Sequence, residues 1–162
     1  MNGSLIDTNV IVQLLKNSPD AVTMFQNIKE PYVSVTVVGE LMYGLYKSSK
    51  QEENKTIIEG FLETVTILDV DNDTAESYAQ IKNQLYQDSY TLPENDIWIA
   101  AVAQQHGLSM ATFDKHFEYI KSITIVSTNW TKEDSKAKTQ KIVPLSTSKT
   151  SEIEEGIQRW FW

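Results

Sequence analysis

Short apolar runs alternate with stretches of helical periodicity over the first 126 residues, and this alternation restricts the fold more than any other feature. Ser4-Leu5-Ile6, Tyr32-Val33-Ser34, Val65-Thr66-Ile67-Leu68, Leu108 to Thr112 and Ile123-Thr124-Ile125-Val126 are too short for helices and read as five strands. Val10, Ile11, Leu14 and Leu15 share one side of a first helix, opened by the N-cap chemistry of Asp7-Thr8-Asn9. Pro19-Asp20 opens a second, and Val37, Val38, Leu41 and Leu45 line a third. Glu52 to Leu62 forms another, and Asp73 or Thr74 is expected to cap the next, in which Tyr78, Ile81 and Leu85 share a face. A strongly apolar helix from Ile97 to His106 follows Pro93 and ends at Gly107, where a helix terminus favours a left-handed residue. Strands separated by helices predict an α/β domain with a mainly parallel sheet.

The 162 residues amount to one domain and suffice for a real core. The absence of cysteine excludes a disulfide framework, a thiolate zinc site and a thiol nucleophile, and it fits a reducing cytoplasm. A strand begins almost at once after Met1, and no apolar run approaches ~20 residues, so neither a signal peptide nor a membrane span is expected. Residues 1–130 carry eight lysines and no arginine against seventeen acids, the wrong balance for a broad basic surface that grips nucleic acid. The remaining 32 residues are nearly neutral.

Within that acidic chain, the placement of a few carboxylates matters more than their number. In an open α/β sheet, ligands bind beyond the carboxyl ends of the strands. Asp7 directly follows the first strand and Asp114 lies just past the fourth. Asp96 opens the helix leading into that fourth strand, and Glu40 lies in a helix among Val37, Val38, Leu41 and Met42. Each also has an ordinary reading: Asp7 and Asp96 as caps, with Asn95 competing, Asp114 as a turn residue, Glu40 as a solvated side chain. Gathered together, acids repel and stay ionised only if a cation offsets them. Oxygen-only donors suit Mg²⁺ or Mn²⁺ rather than zinc, and such ions promote phosphodiester hydrolysis.

Four segments then carry a resemblance, in order: Leu5-Ile6-Asp7-Thr8-Asn9-Val10; Ser34 followed by Gly39-Glu40-Leu41-Met42-Tyr43-Gly44; Pro93-Glu94-Asn95-Asp96-Ile97-Trp98-Ile99-Ala100-Ala101; and Thr112-Phe113-Asp114-Lys115-His116-Phe117. Over residues 3–130 the chain resembles the PIN-domain family, and within it the VapC-type toxins of toxin–antitoxin pairs. The resemblance implies a five-stranded parallel sheet between helices and a Mg²⁺- or Mn²⁺-dependent endoribonuclease that leaves a 5′-phosphate and a 3′-hydroxyl. It also implies a homodimer held by a cognate antitoxin. Carried over by position, the catalytic acids are Asp7, Glu40, Asp96 and Asp114, with Asp7, Asp96 and Asp114 as metal ligands. Asn9 and Thr112 assist the site and Ser34 orients the glutamate. Met110-Ala111-Thr112 departs slightly from the family, which more often has a Leu or Val run before the Thr. Lys47, Lys50 and Lys115 are candidates for phosphate contact in an RNA substrate, with transfer RNA among the options.

Other readings compete. A DNA-directed nuclease on the same fold lacks support from any basic arch, and a dehalogenase-type phosphatase would need Asp-x-Asp where this chain has Asp7-Thr8-Asn9. An operator-binding co-repressor would depend on the antitoxin, because no helix-turn-helix is evident. Beyond the α/β pattern, residues 131–150 are rich in Lys, Ser and Thr and read as a linker. Residues 151–162 form an extension ending Trp160-Phe161-Trp162. There Arg159, the only arginine, is a candidate inhibitory plug for the acidic site.

Overall fold

The structure, a computed structural model, describes residues 3–126. The linker, the aromatic extension and Arg159 lie outside the described residues. Four strands, β1 (Ser4–Ile6), β2 (Pro31–Ser34), β3 (Thr66–Leu68) and β4 (Ser109–Ala111), pair in parallel in the order β3-β2-β1-β4. Six helices connect them: α1 (Thr8–Leu15), α2 (Pro19–Asn27), α3 (Val35–Lys47), α4 (Gln51–Leu62), α5 (Asn72–Gln87) and α6 (Glu94–His106). A 3₁₀ turn, Lys115–Tyr119, follows β4.

The fifth expected strand, Ile123 to Val126, is reduced to a single parallel bridge between Met110 and Ile125. Met110 N donates to Thr124 O at 2.7 Å and Val126 N donates to Met110 O at 2.8 Å, so the chain does run beside β4. The three-residue β4 offers little ladder on that side.

Burial explains the order. Leu5, Ile6, Val33, Met110 and Ala111 are buried in the sheet, as a parallel sheet covered by helices requires. Helix α6 buries Ile97, Ile99, Ala100, Ala101, Val102 and Ala103. With apolar residues on nearly every side, it is a core helix rather than an amphipathic cover. It packs along α5 and touches α3 and β4, which holds its first turn near the end of the sheet. Gly107 ends it at φ 61°, as expected. The cap of α5 differs from expectation: Asp71 takes that position, its carboxylate accepting from Thr74 N while the Thr74 hydroxyl accepts from Asp71 N.

Candidate active site

The chain proceeds outward from β1 to β2 and β3, then returns to place β4 on the other side of β1. That reversal opens a crevice at the carboxyl ends of β1 and β4, where doubly wound sheets hold their ligands. Asp7 N donates to Ala111 O at 2.9 Å, so the pairing continues to the lip of this crevice.

Asp7 is only 5% exposed. Its Oδ1 accepts from Thr8 N at 2.7 Å, and its Oδ2 accepts from Asn9 Nδ2 at 2.6 Å and Thr112 Oγ1 at 2.7 Å. Asn9 Nδ2 also reaches Thr112 Oγ1 at 3.1 Å, and Asn9 Oδ1 accepts from Phe113 N at 3.2 Å. Asp7 therefore does cap α1, but two side chains from the site hold its second oxygen. The network sews the end of β1 to the loop after β4. Through it Asp114 is placed, because Asp114 N donates to the same Thr112 hydroxyl at 3.0 Å. Asp114 Oδ1 accepts from His116 N at 2.8 Å, capping the 3₁₀ turn, with His116 Nδ1 at 3.1 Å.

Glu40 leaves the middle of α3 half-buried and gripped at both oxygens. Thr8 Oγ1 donates to Oε2, and Asn95 Nδ2 donates to Oε1 at 2.9 Å. Among the described residues no hydrogen bond joins Ser34 to it. The fully buried Ser34 hydroxyl accepts from Val37 N at 3.3 Å and caps α3. Thr8 and Asn95 were expected only as helix-start residues; their adjacency to Asp7 and Asp96 was the signal for a larger part.

Asp96 sits in the first turn of α6, whose N-cap position is Pro93, so neither Asp96 nor Asn95 caps the helix. Among the described residues Asp96 accepts no hydrogen bond. Its carboxyl is pushed up to about 7, chiefly by burial and then by the charges of Asp7, Glu40 and Asp114, with His116 opposing. Asp7 is raised to about 6, again mainly by burial, against the lowering effect of its Thr112 and Thr8 hydrogen bonds. Glu40 and Asp114 add to that rise. Asp7 and Asp96 thus each feel the charges of Glu40 and Asp114, and Asp96 that of Asp7 as well.

The lysines stand differently. Lys47, two turns beyond Glu40 on α3, holds its ammonium 4.2 Å from the Tyr43 ring centroid. Lys50 N donates to Ser48 Oγ at 3.0 Å, at the start of α4. Lys115 is exposed beside Asp114.

A Mg²⁺ or Mn²⁺ ion fits the chemistry of this donor set. The acids present only oxygen, repel one another, and include in Asp96 a half-buried carboxylate that accepts no hydrogen bond among the described residues. Among the described residues, no three acids or histidines already surround one point as a finished cage. Asp7 is bound up with its own donors, so the fit lies in donor type and charge rather than a preformed polyhedron. A cavity of about 680 Å³ lies at the opposite, amino-terminal ends of β1 and β4, bordered by Ser4, Lys29, Gln104 and Ser109, and does not include the acids.

Comparison with known proteins agrees with this geometry. The PIN domain family matches residues 4–122. Ribonuclease VapC2 of Haemophilus influenzae is 35% identical over 128 residues, 78% of this chain and 96% of that protein. The tRNA(fMet)-specific endonuclease VapC of Shigella flexneri is 32% identical over 110 residues, 67% of this chain and 83% of that protein. The crystal structure of DNA-bound VapBC from Salmonella typhimurium superposes with a TM-score of 0.72 at 29% identity, covering 79% of this chain and 99% of that one. With the family matched over most of its length and its acids gathered at the β1–β4 crevice, the chain belongs to the PIN-domain family, among its VapC ribonucleases.

Proposed function

We propose that the protein is a divalent-metal-dependent endoribonuclease, the toxin of a toxin–antitoxin pair, acting in the cytoplasm. No helix among the described residues is long and apolar enough to cross a membrane. The observation that carries the reading is the group of four acids at the sheet's switch point, with Asp96 accepting no hydrogen bond among the described residues and raised to about 7. Asp7, Asp96 and Asp114 would hold the cation. When bound, Mg²⁺ or Mn²⁺ would offset the carboxylate charge and polarise the scissile phosphodiester.

The chain's own groups supply the rest. Asn9 and Thr112 immobilise Asp7, and Thr112 also fixes the backbone of Asp114. Glu40, held at the edge of the cluster, keeps lone pairs to accept the proton of a water that attacks phosphorus in line. The P–O3′ bond breaks, so the products are a 5′-phosphate and a 3′-hydroxyl. Lys47, Lys50 and Lys115 are the candidate cations for flanking phosphates. The specificity of the Shigella relative makes tRNA(fMet) the first substrate to try.

A cognate antitoxin and a homodimer complete the assembly, and Tyr43 and Tyr46, 63% and 75% exposed on α3, are surfaces for such contacts. The DNA-bound Salmonella complex favours a second role, operator binding through the antitoxin. The test is cleavage of total RNA and of purified tRNA(fMet) in Mg²⁺ or Mn²⁺, with end mapping. Products carrying 5′-phosphate support the proposal; 2′,3′-cyclic phosphates, or no cleavage in either metal, refute it.

A further inference from the structure

We infer that Thr8 and Asn95 are positioning residues that lock Glu40 against the aspartates and so set the cation affinity of the acid site; this rests on the reading of the site proposed above. A glutamate on a helix has three rotors, and ordering such a side chain carries a conformational-entropy cost. Next to Asp7 and Asp96 it also meets like charges, which drive it outward. Something must hold it inward, and the donors that reach its two oxygens are Thr8 and Asn95.

Thr8 does this from one side. It is 3% exposed and β-branched, so its χ1 is stiff. Its backbone N–H donates to Asp7 Oδ1 at 2.7 Å while its hydroxyl donates to Glu40 Oε2. A single residue thus holds two carboxylates through donors a few bonds apart, which fixes the spacing of Asp7 and Glu40. Asn95 acts from the other side. It neighbours Asp96 in the first turn of α6, and its amide donates to Glu40 Oε1 at 2.9 Å. Glu40 is therefore tied to the turn that carries Asp96. Both donors are neutral, so they stabilise the carboxylate without displacing a cation held by the aspartates, and each oxygen keeps a free lone pair.

Supporting groups of this kind typically alter metal affinity by about 10- to 100-fold. The test is Mn²⁺ binding by calorimetry, checked by electron paramagnetic resonance of free Mn²⁺, on the wild-type chain, Thr8→Val, Thr8→Ser and Asn95→Ala. Urea unfolding in EDTA accompanies each. Thr8→Val and Asn95→Ala should weaken Mn²⁺ binding about 10-fold or more, while Thr8→Ser, which keeps the hydroxyl, binds as wild type. Asn95 is exposed, so Asn95→Ala should keep its urea midpoint and decides the matter if Thr8→Val fails to fold. Wild-type affinity in Asn95→Ala and in a folded Thr8→Val overturns the clamp alone. A wild-type chain that binds no Mn²⁺ overturns both the clamp and the cation site it serves.

Discussion

Replacing Asp96 by Asn should stabilise the metal-free protein while removing its activity. The carboxyl stands at about 7 in the fold against 3.8 as an ordinary aspartate. For a fully buried group that difference would correspond to about 4 kcal/mol. Asp96 is only half-buried and solvent screens its repulsions, which reduces the expected gain to about 1–2 kcal/mol. Because Asp96 accepts no hydrogen bond among the described residues, an amide in its place loses no partner.

The pH dependence follows from the direction of the shift. A carboxyl whose folded pKa exceeds its unfolded value binds protons more tightly in the fold. The penalty is therefore full above pH 7 and fades as pH falls from about 7 towards 4. Thermal unfolding in EDTA should show Asp96→Asn roughly 3–8 °C more stable than wild type at pH 8, with the gap shrinking at pH 5. Added Mg²⁺ should close the gap from the other direction, by stabilising the wild type. Equal melting temperatures at pH 8, or a gap that ignores pH, would refute the reasoning.

Two further outcomes follow from the same structure. Cation binding must displace the protons held by Asp96 and Asp7, raised to about 7 and about 6, so Mn²⁺ affinity should fall as pH drops from 7 to 5. Calorimetry in buffers of different ionisation enthalpy should detect the released protons. Gly107→Ala should cost about 1 kcal/mol in urea unfolding. At φ 61° only the backbone is strained, since a Cβ there would meet nothing within 4 Å.

Much of this fold was legible because its signals are local. The strand at Ser4–Ile6, the helix from Pro19 and the Gly107 terminus each follow from a few neighbouring residues. The α5 cap was not legible. The stretch from Asp69 to Thr74 offers five side chains with cap chemistry, and only the reciprocal bonds of Asp71 and Thr74 choose among them. The fifth strand failed for a different reason, because a bridge at Met110 depends on how far β4 extends rather than on the residues near Ile125.

The acids divide in the same way. Asp7 and Asp114 could be placed from the strands they follow. Glu40 and Asp96 needed tertiary structure, since Glu40 finds Asn95 across 55 residues and Thr8 across 32. Ser34 carried a strong local signal for a different part, since a serine at the junction of β2 and α3 is well placed to accept from the exposed helix N–H of Val37.

The central claim, that the four carboxylates act together on RNA, is tested most directly by single-turnover cleavage of one defined RNA. The comparison is between the wild type and Asp7→Asn, Glu40→Gln, Asp96→Asn and Asp114→Asn, each in Mg²⁺ and in EDTA. Every variant should fall to the level of the EDTA-treated wild type while remaining folded by circular dichroism. Cleavage that persists in EDTA, or an Asp7→Asn variant as active as the wild type, would contradict it.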